Sequence, residues 1–147
     1  MNDPHDLQRF VLAQEADYET ALREITAGRK RTHWMWYIFP QIAGLGFSAM
    51  AQRYAVASAD EARAYLAHPV LGERLRACAR AALEHEEKSA TEVFGTPDDL
   101  KLRSSATLFA AVSEEGSVFH QLLARFYPAG PDPATLRLLN AASDRPA

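Results

Sequence analysis

Helix start and stop signals recur at short intervals along this chain, and they restrict it to a succession of short helices. Leu7, Phe10 and Val11 fall at i, i+3, i+4. Tyr18, Leu22 and Ile25 repeat the spacing, and Gly28 stands where such a helix stops. Ser58-Ala59-Asp60-Glu61 is a capping-box pattern that opens a helix through Leu66. Pro69 suits the first turn of the next, which sets Leu71, Leu75, Cys78, Ala82 and Leu83 on one face. Ser89-Ala90-Thr91-Glu92 is a second capping box before Val93 and Phe94, closed by Gly95. Thr96-Pro97-Asp98-Asp99 reads as an N-cap, an N1 proline and two acids that complement the helix dipole. The helix it opens is expected to bury Leu100, Ala106 or Thr107, and Phe109 to Val112. Ser117 is expected to cap a helix with Phe119, Leu122, Leu123 and Phe126 inward, and Asp132-Pro133 to open a last one through Leu139.

One stretch resists assignment by periodicity. His33-Trp34-Met35-Trp36-Tyr37-Ile38-Phe39-Pro40 is too short and too apolar to separate helix from strand, and its aromatic content favours a strand. No other segment offers it a partner, and a lone strand leaves its backbone groups unpaired, so a helix is expected. The fold class that follows is all-α: seven or eight short helices in a single domain over residues 1–142, with residues 143–147 frayed. A chain of 147 residues with 48% hydrophobic content can bury a core without a metal or a disulfide. Cys78 is the only cysteine, which suits a reducing compartment. Met1 to Asp6 is polar, unlike a signal peptide, and no apolar run approaches the ~20 residues of a membrane span. A cytoplasmic protein with no membrane association is expected. The net charge of −3, with signs interspersed, argues against nucleic acid as a partner.

Several constellations bear on chemistry. Gly44-Leu45-Gly46-Phe47-Ser48-Ala49 matches a loose dinucleotide-binding pattern. Too few residues follow it before Tyr54 to form a βαβ crossover, so a glycine loop between two helices is expected. The histidines show no zinc spacing, and no metal site is assigned. Cys78 lies on an alanine-rich apolar face, where cysteine is ordinarily core. Arg29-Lys30-Arg31 follows a helix end, where cations complement the dipole without any ligand. The functional alternative is that Arg29 and Lys30, with Lys101 and Arg103, bind an oxyanion, since guanidinium and ammonium groups take phosphate or carboxylate. His33, Trp34, Trp36 and Tyr37 would then wall the site, with Gln41 and Ser104 as hydrogen-bonding groups. For each aromatic the competing reading is core packing. Trp34 and Trp36 stand two apart, roughly 200° around a helix, so one can be core while the other lines a cleft. His33 is the one candidate general acid or base near the cluster, and there is no identifiable nucleophile.

Gly28-Arg29-Lys30, the run from His33 to Gln41 and Gly44-Leu45-Gly46 together resemble the signature of the bacterial domain-of-unknown-function family eighteen-ten. Further matches are Asp6-Leu7-Gln8-Arg9-Phe10 with Gln14 and Tyr18, His68-Pro69-Val70-Leu71-Gly72, Val93-Phe94-Gly95, and Asp99 to Ser105 with Thr107-Leu108-Phe109. The resemblance spans nearly the whole chain. It implies a mainly α-helical single domain and carries no mechanism. Some relatives bear the label "calpastatin", but a protease-inhibitor repeat of that kind is disordered, whereas this chain is patterned to fold. Two functional readings stand at this point, and whether a reaction is catalysed is left open by both. One is a site for an anionic, nucleotide-like small molecule at a His/Trp/Arg-lined pocket, with no cofactor. The other is an interaction module or homodimer with an exposed aromatic patch.

Overall fold

A computed structural model describes residues 3–143. Among them are nine helices and no strand: α1 (Gln8–Ala27), α2 (Met35–Ile38), α3 (Ala49–Arg53), α4 (Ala59–Ala67), α5 (Leu71–Leu83), α6 (Ala90–Phe94), α7 (Asp98–Ala111), α8 (Val118–Phe126) and α9 (Pro133–Ser143). The all-α expectation holds. The aromatic run forms the helix expected of it, as α2, and the ninth helix is the short α3, which the residue pattern does not separate from loop. No helix among the described residues is long and apolar enough to cross a membrane. The frayed end expected over residues 143–147 lies, after Ser143, outside the described residues.

The local signals explain most boundaries. Gly28 ends α1 in a left-handed conformation (φ 81°) that a side chain would strain. At Ser89 both halves of the capping box form. At Ser58 only half does: Ser58 Oγ accepts from Glu61 N–H, but the Glu61 carboxylate takes the Ala57 N–H and the Arg9 guanidinium instead. Ser117 caps α8, and Asp132 accepts from Thr135 N–H at the start of α9. His68 ends α4, and its Nδ1 accepts from the N–H groups of Val70 and Leu71, which caps α5. Thr96 is not an N-cap: the Thr96–Pro97 bond is cis, Pro97 takes the cap position, and α7 begins at Asp98.

α7 is the centre of the assembly, covered by α4, α6, α8 and α9, while α1 and α5 pack on each other and α5 also meets α8. Leu102, Ala106, Leu108 and Phe109 are buried, as are Ser104, Ser105 and Thr107. From Ser104 to Ala110 the helix is covered all round and shows little amphipathic periodicity, whereas Leu100, expected inward, lies in the less covered first turn and is 57% exposed. A line of edge-on and tilted rings runs through the core from Phe10 to Tyr65 (5.1 Å), Phe109 (5.3 Å) and Phe119 (5.6 Å). Gln14, 1% exposed, sits where four helices meet. Its amide donates to Tyr37 O (2.7 Å) and Tyr65 Oη (3.0 Å) and accepts from Arg74 (3.4 Å). The Arg9 guanidinium ties the start of α1 to Arg53 O, Ala55 O and Glu61.

The segment after α2 does find a partner. Ile42 and Val56 form a single parallel bridge, with Val56 N–H donating to Gln41 O and Ala43 N–H to Val56 O, both at 2.8 Å. One rung satisfies those backbone groups without a sheet, and Gly44 to Gly46 fall in the loop between α2 and α3.

Among the described residues, the Ser105 hydroxyl is the buried side-chain polar group without a hydrogen bond. An unpaired buried hydroxyl costs about 1–3 kcal/mol, and alanine is the better helix former. Ser105→Ala should therefore raise stability by about 1 kcal/mol and the melting temperature by roughly 2–4 °C, read by calorimetry. A loss of that size would mean instead that the hydroxyl holds a buried water.

Candidate functional site

The loop after α1 is wound around one carboxylate. Arg29 N–H closes the helix end on Glu24 O, and Lys30 N–H donates to Val93 O on α6. The next groups converge on the Glu24 side chain. Arg31 N–H (2.9 Å), Thr32 N–H (3.1 Å) and the Trp34 indole N–H (2.9 Å) donate to Oε1, and the Thr32 hydroxyl (2.8 Å) donates to Oε2. Burial by itself pushes the Glu24 carboxyl up. The hydrogen bonds from Arg31, Trp34 and Thr32 outweigh it and hold the group down at about 2. Residues 29–34, the basic and aromatic start of the motif, thus have a fixed course.

That course separates the tryptophans. Trp34 is 1% exposed, set edge-on to Phe94, and belongs to the core. Trp36, two residues on, is half-buried and lines a cleft of ≈ 380 Å³ with Lys30, Arg31, His33, Asp98 and Lys101. Thr96 and Pro97 form its far wall. Lys30 Nζ is 2.9 Å from Asp98 and 4.8 Å from the Trp34 ring centroid, nearly buried between them. Lys101 Nζ is 3.3 Å from the other Asp98 oxygen and 5.2 Å from the Trp36 ring. Asp98 therefore bridges two ammonium groups at the cleft, and with Arg31 the fixed charge there is positive. Among the described residues, neither the Trp36 indole N–H nor the His33 ring has a hydrogen-bond partner, and His33 is exposed.

The other sequence-selected residues divide. Gln41 and Ser104 line an adjoining groove of ≈ 300 Å³ that shares Pro97 and Lys101 with the cleft. The Ser104 hydroxyl is already shared between Leu100 O and Asp132 Oδ2, both at 3.2 Å, and that carboxylate oxygen also caps α9 through Thr135. Arg103 is not brought to the cleft; it donates to Gly130 O (2.9 Å) and Pro131 O (3.1 Å) and pins the loop before α9. Tyr37 is core, its hydroxyl bonded to Asp17, with burial and that carboxylate raising its pKa. Arg29 faces a different cleft, on the other side of Arg31. Arg31, Met35, Thr96, Pro97 and Asp98 also line the cleft and lie outside the set of candidate site residues selected from the sequence. The acid pair after Pro97 was the signal for Asp98, read there only as a helix start. Away from the cleft, Cys78 is fully buried, which pushes its thiol up to about 12 and leaves it unreactive. His85 and His120 are engaged at helix ends by Ile25 O (2.6 Å) and Ser117 Oγ (2.7 Å). No group of three or more metal-ligating side chains occurs among the described residues.

Comparison with solved structures finds the crystal structure of the conserved hypothetical protein Rv1873 from Mycobacterium tuberculosis. It is 49% identical, with a TM-score of 0.91 over 94% of this chain and 99% of that one. Comparison with curated proteins gives no match. The family model described as "Protein of unknown function (DUF1810)" matches residues 4–139, and the chain belongs to that family.

Proposed function

We propose that this protein binds a small anionic molecule with a flat ring, of nucleotide-like character, in the cleft between the loop over residues 30–36 and the start of α7. One observation carries the reading. Trp36 offers a half-buried ring and an unpartnered N–H in a cleft where Lys30, Arg31 and Lys101 converge. A stacking face next to cations suits a ring bearing phosphate or carboxylate, and ≈ 380 Å³ falls in the range of ligand pockets. His33 stands at the rim of the cleft with its ring exposed. No catalytic step is assigned, because no nucleophile stands beside it.

The competing reading, an interaction module, draws on Phe47 and Leu100, 81% and 57% exposed. Single exposed apolar side chains are ordinary on a protein surface, so this reading ranks second.

The test is calorimetric titration with adenosine monophosphate and, separately, an aromatic carboxylate. Trp36→Leu and Lys101→Met are each expected to weaken binding about tenfold or more, while circular dichroism shows both variants folded. No binding by the wild type, or equal binding by both variants, would overturn the proposal.

A further inference from the structure

The cleft at Trp36 adjoins a second one. It has a volume of ≈ 520 Å³ and is lined by Arg23, Glu24, Ala27, Arg29, Arg31 and Lys88. Arg31 is common to both. The chain leaves α1 at Gly28 and alternates sides, so that Arg29 and Arg31 face the second cleft while Lys30, between them, turns in toward Asp98 and the first.

Cations past a helix end have an ordinary explanation in the helix dipole. That dipole amounts to roughly half a charge and acts over the last turn. Here the end of α1 is already served: Lys88 Nζ donates to Gly28 O (3.1 Å), and His85 is hydrogen-bonded to Ile25 O. Arg29 and Arg31 add two guanidinium groups for which there is no hydrogen-bond or ion-pair partner among the described residues, and Arg23 reaches only the Thr20 hydroxyl, at 3.4 Å. The one acid in the lining, Glu24, has its oxygens taken by Arg31 N–H, Thr32 and Trp34. The lining thus sets four cations against one carboxylate in a chain whose net charge is −3. Guanidinium forks left free in a concave surface are suited to phosphate oxygens.

We infer that the second cleft seats a chain of further phosphate groups. The ligand class would then be a ring carrying two or more phosphates, with the ring at Trp36 and the phosphates passing Arg31 toward Arg29 and Lys88. This rests on the reading of the Trp36 cleft given above. It adds that affinity depends on the number of phosphates.

The experiment titrates the protein, in the presence of a chelator, with adenosine mono- and triphosphate and with inorganic tripolyphosphate. Arg29→Ala removes a side chain with no partner and should fold normally. Arg63→Ala, on α4, controls for general charge. The triphosphate is expected to bind about tenfold or more tighter than the monophosphate. Arg29→Ala should erase that gain and leave monophosphate affinity unchanged, while Arg63→Ala changes neither. Equal affinity of the two nucleotides, or equal weakening of both by Arg29→Ala, would overturn the inference while leaving the ring cleft standing. Tripolyphosphate binding that needs Arg29, without monophosphate binding, would support the second cleft and overturn the first. Absence of binding by all three overturns both.

Discussion

Gly72→Ala is expected to destabilise the protein by about 3 kcal/mol, at the upper end of what overpacking costs, and to lower its melting temperature by roughly 6–12 °C. Helix propensity predicts the opposite sign. Gly72 lies in the first turn of α5, in a conformation that alanine adopts readily, and alanine in a helix is favoured over glycine by about 1 kcal/mol. Contact decides. A Cβ at this position would stand 2.1 Å from the carbonyl oxygen of Leu66 and 2.9 Å from its carbon, near the end of α4. Both are backbone atoms and cannot swing aside. Relief requires α4 and α5 to separate, which loosens Tyr65, Leu66, Leu71 and Leu75 in the core. Urea unfolding measures the effect directly. A loss under about 1 kcal/mol would show that the two helices can shift apart and that the close approach is not a constraint.

Glu24→Ala is expected to cost a comparable amount, about 3 kcal/mol, for a different reason. It leaves the buried Trp34 indole N–H unpaired, a penalty of roughly 1–3 kcal/mol, and removes the acceptor that holds Arg31 and Thr32. The same group gives a signed pH dependence. Its folded-state carboxyl is held at about 2 against an ordinary 4.5, so its contribution is complete above pH 4.5 and is lost as pH falls toward 2. Asp3 and Glu92 are also held low, by N–H groups of Leu7 and Gln8 and by Ser89, so the wild type has more than one source of acid sensitivity. Glu24→Gln isolates the term. The stability gap between wild type and Glu24→Gln should close across that window. Trp34 fluorescence in a Trp36→Phe background reports on the loop itself. A gap that stays constant from pH 5 to pH 2 would refute the assignment.

Much of the fold is legible because its signals are local. Gly28, the Ser89–Glu92 box, Ser117 and Asp132 each act on backbone groups within a few residues, and each stands at a helix end. The departures occur where a distant partner intervenes. Glu61 gives up half of its box to reach Arg9, fifty-two residues away. Leu100 turns outward in the first turn of α7, ahead of the stretch from Ser104 to Ala110 that is enclosed on every face and about which periodicity says little. The same division runs through the candidate site. The spacing of Trp34 and Trp36 already implied that they face different ways. Arg103 carries the same chemistry as the cleft cations, yet its guanidinium is committed to carbonyls of residues 130 and 131, a contact no local pattern announces. Lys88 comes to the neighbourhood of Arg29 only because α5 lies against α1.

Gln14 bears on how one arrangement is chosen from many. Interlocking apolar side chains tolerate small slides of one helix along another, since every displaced contact meets another apolar surface. An amide does not. Both donors and the oxygen of Gln14 are committed to groups on α2, α4 and α5. Shifting α1 by a single turn would leave a polar group enclosed with nothing to bond, at a cost greater than its correct bonds contribute. Gln14 thus acts as a register mark: it adds little to the depth of the native minimum and raises the neighbouring ones.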